Sequence, residues 1–284
     1  MNCASNYNLT PGGTQSTRQA TATGLSDSGE SRQTQKRLSV IGGKLPYKQK
    51  TFIGTLNINT LIQAGKLHNL TQEIDRQKIL LLALQETRLT NEDTTDYGNY
   101  RIFKSKTQCK TGRNTPIFGM AFLVQKSILN SVKEVTPISN RLMTIRIQAA
   151  KKHYTIINAH APTNGDNNKD PKNVEKFWDR LENTMSKIHP DDVKILLGDF
   201  NAQLGKEKIY RKTIGKNSAH HNTNTNGTRL VDVCQQYDLR VMSTHFRKPP
   251  NKQKTWRSPI QHIGEYQIDH VAISYKHYRT IHDI

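Results

Sequence analysis

Cysteine is scarce and scattered in this chain of 284 residues: Cys3, Cys109 and Cys234 are odd in number and far apart. They give neither a disulfide framework nor the paired spacing of a zinc site, which suits a reducing compartment. No apolar run approaches membrane-spanning length, and the N-terminal residues lack the apolar core of a secretory signal. The expectation is an intracellular protein, nuclear or cytoplasmic, with no membrane partner. Acids are short as well: 23 Asp and Glu stand against 42 Lys and Arg, a formal net charge of +19. Such an excess is a statement about partners rather than fold, and nucleic acid is the commonest polyanion to answer it. A solvated basic surface or a localisation tail is the plainer explanation of the same charge.

Residues 1–48 have few aromatic or branched apolar side chains and are rich in Ser, Thr, Gly, Gln and Asn. Such a segment cannot bury enough surface to offset its ordering entropy, so a disordered basic tail is expected there. One domain is expected over residues 49–284, and most of the excess positive charge belongs to it. That length supports a sizeable core.

From Thr51 onward, apolar runs alternate with amphipathic stretches. Strands are expected at Phe52 to Leu56, Ile79 to Leu84, Ile117 to Val124, Leu142 to Ile147, Tyr154 to Asn158, Val193 to Leu197, Leu239 to Ser243 and Gln267 to Ile273. A helix beginning near Pro171 places Val174, Phe177, Trp178, Leu181, Met185 and Ile188 on one face. Others are expected from Gly65 to Gln77 and from Thr228 to about Gln236. Strands interleaved with helices indicate an α/β domain (α+β in some schemes). Several neighbouring strands joined by short links favour mixed sheets.

What stands at the strand exits carries the chemistry. Asn57-Ile58-Asn59 follows the first run, Glu86 the second, and His160-Ala161-Pro162 the run from Tyr154. Gly198-Asp199-Phe200-Asn201 follows Val193 to Leu197, and Gln267-Ile268-Asp269-His270 introduces the last apolar run. Alternation along an extended chain puts Asp199 and Asn201 on one side. A carboxylate can orient and deprotonate a water, and a carboxamide can donate to a developing anion. Any one of these residues could be a turn or a cap. Five polar clusters at strand ends are much less probable by chance. Oxygen donors without Cys and with little His suit a hard cation, Mg²⁺ or Mn²⁺.

In their order and spacing, the motifs Leu-Asn-Ile-Asn (56–59), Leu-Gln-Glu-Thr (84–87), Ala-His-Ala-Pro (159–162), Gly-Asp-Phe-Asn (198–201), Thr-Trp (255–256) and Gln-Ile-Asp-His (267–270) resemble the endonuclease/exonuclease/phosphatase superfamily, the fold of pancreatic deoxyribonuclease. Within it the chain looks most like endonuclease domains of non-LTR retrotransposons and craniofacial-development-protein-like sequences. The resemblance implies a four-layer sandwich of two packed mixed β-sheets flanked by helices. It also implies a Mg²⁺-dependent phosphodiester hydrolase, most nearly a DNA endonuclease acting as a monomeric domain on double-stranded DNA. Carried over residue by residue, Glu86 is the principal metal ligand and Asn57 helps hold the metal. Asp199 orients or deprotonates the attacking water, and Asn201 contacts the scissile phosphate or leaving oxygen. Thr255 contacts a neighbouring phosphate, and Asp269 is the carboxylate that orients a catalytic histidine.

Three departures qualify the resemblance. Asn59 stands where apurinic endonucleases carry Asp, leaving a neutral group for metal or phosphate. His160 stands where many relatives have Tyr, and an imidazole can still donate to a phosphate oxygen. The third is the terminal Ser-Asp-His of the relatives, which is absent after His270. A domain without its last strand is therefore expected, with a sheet edge left unpaired and activity reduced by about 10²–10⁴-fold. The alternative of another class is a catalytically silent nucleic-acid binder. A phosphatase or RNA nuclease of the same superfamily is the nearer alternative. His220-His221 in an Asn/Thr-rich stretch reads as solvated loop, and Trp256 as packed beside Thr255. Lys104, Lys106, Lys110 and Arg113 read equally as a patch along a DNA backbone or a solvated hairpin.

Overall fold

The computed structural model describes residues 36–40, 51–90, 93–105, 107–109, 116–149, 151–163, 171–258 and 264–284. The first half supplies β1 (Lys36–Val40), β2 (Thr51–Asn57), β3 (Ile79–Gln85), β4 (Thr95–Tyr97), β5 (Tyr100–Lys104), the short ribbon β6 (Gln108–Cys109) and β7 (Pro116–Ile117), and β8 (Ala121–Gln125). The second half supplies β9 (Val132–Ser139), β10 (Leu142–Ala149), β11 (Lys152–His160), β12 (Val193–Asp199), β13 (Leu239–Val241), the ribbon β14 (Trp256–Arg257) and β15 (Glu265–Tyr266), and β16 (Asp269–Ser274). Helices α1 (Lys66–Arg76), α2 (Pro171–Ser186), α3 (Thr225–Gln236) and the single turn α4 (Pro250–Gln253) lie between them.

Sheet one runs β1-β2-β3-β8-β5-β4 and sheet two β13-β16-β12-β11-β10-β9. Each contains one parallel pair, β2 with β3 and β11 with β12, and all other ladders are antiparallel. The parallel pairs are those joined through a helix, α1 in one sheet and α2 in the other, because a parallel return needs a crossover. Both sheets are therefore mixed.

Alternation sorts each strand's side chains between two faces. In β3, Leu81 and Ala83 face sheet two while Ile79, Leu82 and Leu84 pack outward toward α1. In β12, Val193, Ile195 and Leu197 face sheet one while Leu196 packs with Trp178, Leu181 and Met185 of α2 and with Leu230 of α3. Three apolar clusters result: one between the sheets and one on each outer face. They make the layers helix, sheet, sheet, helix. Burying each Leu, Ile or Phe there stabilises the fold by about 1.5–3 kcal/mol.

The expected helices form within a few residues of their expected ends. The third starts earlier, at Thr225, because Asn224 caps it: its side chain accepts from the Gly227 amide at 2.8 Å. The run Ile117 to Val124 is not one strand. Phe118 and Gly119 adopt φ of 62° and 91°, which breaks it into β7 and β8. The run Leu239 to Ser243 stops at Val241 and continues as a 3₁₀ turn. Lys36–Val40, inside the stretch expected to be disordered, form β1, antiparallel to β2. That ladder satisfies the outer backbone groups of β2, which would otherwise form an open edge. The rest of residues 1–50 lies outside the described residues.

Candidate functional site

The inward-facing rows of several strands end at the same place. Ile53, Thr55 and Asn57 lie on one face of β2. Ile156, Asn158 and His160 do so on β11, Leu197 and Asp199 on β12, and Val271 and Asp269 on β16. The apolar members fill the gap between the sheets, and the polar ones finish each row at one end of it. Period-two alternation therefore delivers Asn57, His160, Asp199 and Asp269 to one cleft. Asp269 pairs directly across the ladder from Asp199.

Glu86 would point away by the same alternation. It does not, because its φ of 54° turns the chain at the end of β3. Asn59 and Asn201 adopt similar left-handed values, 46° and 47°, just after β2 and β12. Asn tolerates such φ and Glu rarely does, so among these strand exits the backbone strain falls on Glu86. Gly198 adds a fourth special position. Its φ is 139°, and a Cβ there would lie 1.9 Å from the Ala159 carbonyl oxygen, so only glycine lets β12 lie against β11 in this way.

At the centre, Asn57 Nδ2 donates to Glu86 Oε1 and to Asp199 Oδ2, both at 3.0 Å. One carboxamide thus ties a carboxylate of sheet one to a carboxylate of sheet two. Its own oxygen accepts from the Asn59 amide at 3.1 Å. Asp199 Oδ1 accepts from the Asn201 amide at 3.0 Å. His160 Nε2 lies 3.5 Å from Glu86 Oε1.

Burial sets the protonation chemistry. Asp199 is 4% exposed, and its pKa is raised to about 6. Desolvation is the largest cause, with the Glu86 charge adding to it; Asn57, the Asn201 amide and Arg141 pull the other way. His160 is driven well below the usual histidine value by desolvation first and then by the Arg141 charge, so it is neutral near pH 7.

The remaining expected residues take supporting positions. Asn201 Nδ2 donates to the Ala161 carbonyl at 2.9 Å. Asn59 Oδ1 accepts from Arg88 Nη2 at 2.9 Å, and the same nitrogen lies 3.5 Å from Glu86 Oε2. The Thr255 hydroxyl is buried and accepts from the Ile268 and Asp269 amides, both at 3.1 Å, so it anchors the segment entering β16. His270 points to the outer face. Its Nδ1 meets Ser243 Oγ at 2.9 Å and its Nε2 meets the Ala202 carbonyl at 2.8 Å, so both nitrogens are engaged away from the cleft.

Sequence reasoning missed several contributors. Gln85 Nε2 donates to Asn158 Oδ1 at 2.6 Å and to Thr55 Oγ1 at 3.0 Å, and Asn158 Nδ2 donates to the carbonyls of Leu84 and Ala121. These fully buried amides clamp the sheets together one step behind the polar row that lines the cleft. Asn226, also fully buried, donates to the carbonyls of Pro162 and Phe200, joining the loops that leave β11 and β12. Arg88, Phe118 and Arg141 surround Glu86 and His160. Buried amides following apolar runs were the available signal for Gln85 and Asn158; nothing local marks Arg141.

Two expectations fail. Lys104 is not a solvated loop lysine: it is 7% exposed at the end of β5, and its Nζ donates to Thr95 Oγ1 at 2.9 Å. Desolvation lowers its pKa. Lys106, Lys110 and Arg113 lie outside the described residues. His220 is half-buried rather than solvated. Its ring stacks on Tyr266 at 5.9 Å, and its Nε2 accepts from the Gln267 amide at 3.0 Å. Trp256, in β14 of the same ribbon, stands directly across the ladder from Tyr266, with ring centroids 5.9 Å apart.

A cavity of about 430 Å³ lies toward the opposite ends of β11 and β12. Arg146 grips Asp192 there through two bonds of 2.8 and 2.9 Å, and Thr155 Oγ1 donates to the same carboxylate. It is remote from the cleft. Among the described residues, no group of three His, Cys, Asp or Glu is arranged to hold a metal, and no helix is long and apolar enough to cross a membrane.

Two mixed sheets packed face to face, helices outside and a carboxylate–amide–imidazole cluster at one end define the class: a DNase I-like α/β sandwich. The chain belongs to the Endonuclease/Exonuclease/phosphatase family, whose model matches residues 54–275. It is 28% identical over 224 residues to Craniofacial development protein 2 of Tragulus javanicus, covering 79% of this chain and 37% of that protein. The chain thus spans well under half the length of that curated relative. Among solved structures it resembles the endonuclease domain of TRAS1, a telomere-specific non-LTR retrotransposon (TM-score 0.53, 14% identity, 79% of this chain and 85% of that one). It also resembles the 3′ phosphatase NExo from Neisseria bound to a product DNA hairpin (TM-score 0.54, 17% identity, 80% and 88%). At these identities the structural likeness establishes the fold.

Proposed function

We propose that this chain is a divalent-metal-dependent phosphodiester hydrolase acting on DNA, an endonuclease of the retrotransposon type. The observation that carries the reading is the Asn57 side chain, which holds the Glu86 and Asp199 carboxylates together across the two sheets. Two carboxylates in different surroundings suit two different tasks. Asp199 is buried, with a proton affinity near neutrality, and takes the proton of the attacking water. His160 is neutral and offers an N–H to a non-bridging phosphate oxygen. Asn201 borders the same space and contacts the leaving side, while Asp269 and Thr255 fix the far wall. Asn59 and Arg88 face the incoming phosphate beside Glu86.

The donors fit Mg²⁺, which commonly binds through one or two carboxylates and completes its shell with water and phosphate oxygens. Glu86 would hold it with Asn57; the two side chains already meet at 3.0 Å. When bound, the cation supplies Lewis-acid neutralisation of the phosphate and of the departing 3′ oxygen. The net charge of +19 supports a polyanionic substrate, as do the relatives named for acting on or binding DNA.

The test is a substrate panel with Mg²⁺: supercoiled plasmid, abasic duplex, 3′-phosphorylated duplex, RNA and inositol phosphates. Nicking of plasmid above the other substrates is expected. Preference for the phosphorylated end or for RNA moves the assignment to the phosphatase or RNA nuclease reading. Binding with steep salt dependence and no hydrolysis makes the chain a silent binder.

A further inference from the structure

The groups around His160 are unusual in that the nearest polar side chain on its inner flank can only donate. Arg141, in the turn between β9 and β10, places Nη1 3.4 Å from His160 Nδ1 and 3.2 Å from the His160 carbonyl. The backbone locks the pair in register, with the His160 amide donating to the Arg141 carbonyl at 2.9 Å. The guanidinium cannot drift, because its carbon sits 3.6 Å over the Phe118 ring, and that ring meets the imidazole edge-on at 6.0 Å. Phe118 is in turn held at the left-handed break between β7 and β8, where the Gly119 amide donates to the Asn140 carbonyl at 3.0 Å.

We propose that Arg141 is a positioning residue that fixes His160 as the Nε2–H tautomer and aims that N–H into the cleft. Guanidinium nitrogens carry protons and no acceptor lone pair. An N–H on His160 Nδ1 would therefore oppose another N–H, whereas a bare Nδ1 accepts. The contact is long, so its effect is electrostatic and directional rather than that of a strong bond. The remaining proton sits on Nε2, 3.5 Å from Glu86 Oε1. Facing Nε2 are the Glu86 carboxylate and, through Asn57, Asp199; facing Nδ1 is the Arg141 cation. The imidazole is thereby set as a hydrogen-bond donor toward the acidic side of the site, where a phosphate oxygen would replace Glu86 as acceptor. It is not set as a base toward the water handled by Asp199. The inference deepens the proposed hydrolase reading and rests on it for the identity of the acceptor. The tautomer itself is a property of the protein alone.

The test is ¹⁵N NMR of histidine-labelled protein near pH 7.5, with the His160 signals assigned by a His160→Gln variant. Wild type should show a single Nε2–H tautomer. Arg141→Met should raise the Nδ1–H population several-fold, and Arg141→Lys, which retains a donor, should restore most of the wild-type pattern. In plasmid nicking, Arg141→Met should lower kcat by about 10-fold with KM little changed, as expected when a donor is misaimed rather than removed. A wild-type Nδ1–H form, or a pattern unchanged in Arg141→Met, overturns the proposal. If Arg141→Met fails to fold, Phe118→Leu removes the ring beneath the guanidinium and is read in the same way. Absence of nicking by wild type would defeat the hydrolase reading and leave the tautomer measurement decisive for this one.

Discussion

The two sheets are built on the same frame and end in different chemistry. Each has a parallel pair joined through a helix, β2-α1-β3 and β11-α2-β12, with an antiparallel strand beside the second member. Each parallel pair brings two polar side chains to the same end: Asn57 and Glu86 from β2 and β3, His160 and Asp199 from β11 and β12. Their surroundings diverge. The Glu86 side chain is 23% exposed and lies beside Arg88, whereas Asp199 is almost wholly enclosed. The more open Glu86 carboxylate is the one within reach of a hydrated cation in the proposed site. The enclosed one has its proton affinity raised toward neutrality, the property the proposed role of base requires. Burial, rather than residue type, separates the two carboxylates.

That contrast can be broken at several points. The largest effect is expected behind the site, where Asn158 and Gln85 join the halves. Asn158→Ala removes three buried hydrogen bonds, two of them to the carbonyls of Leu84 and Ala121 on the facing sheet. It should cost about 3 kcal/mol in urea unfolding. A cost near that of a surface substitution would mean that the sheets are held by apolar packing alone.

A smaller effect concerns pH. Asp199 binds its proton more tightly in the folded state (pKa about 6) than in an unfolded chain (3.8). Between those values the native state holds more protons, so stability of the metal-free protein should fall as pH rises through that window and level off above it. Asp199→Asn should flatten that part of the curve. An unchanged slope would remove the electrostatic difference drawn between the halves.

The smallest effect is expected at Lys104. Its ammonium is buried against Thr95, so Lys104→Met should leave the salt dependence of DNA binding unaltered. A slope reduced by about one would return this lysine to the phosphate-contacting surface.

Much of this was legible because strand exits follow local rules. An apolar run with period-two sorting fixes which side chain ends each row, and Asn57, His160, Asp199 and Asp269 follow from it. The helices were legible from their apolar faces. Edge strands were not. β9 carries Pro137, its ladder with β10 shifts register twice, and its half-exposed residues do not alternate cleanly. The direction of Glu86 depends on one left-handed φ, and no alternation rule contains that. Arg141, Arg88 and the burial of Lys104 depend on contacts between distant segments, which no local pattern records.

The most direct measurement is supercoiled-plasmid nicking by wild type and Asp199→Ala at matched DNA occupancy in Mg²⁺. Wild type is expected to nick, and Asp199→Ala to fall by about 10²–10⁴-fold, the range for loss of a positioned proton acceptor, with DNA binding retained. Nicking that survives in Asp199→Ala, or that is absent in wild type bound to the same DNA, would contradict that expectation.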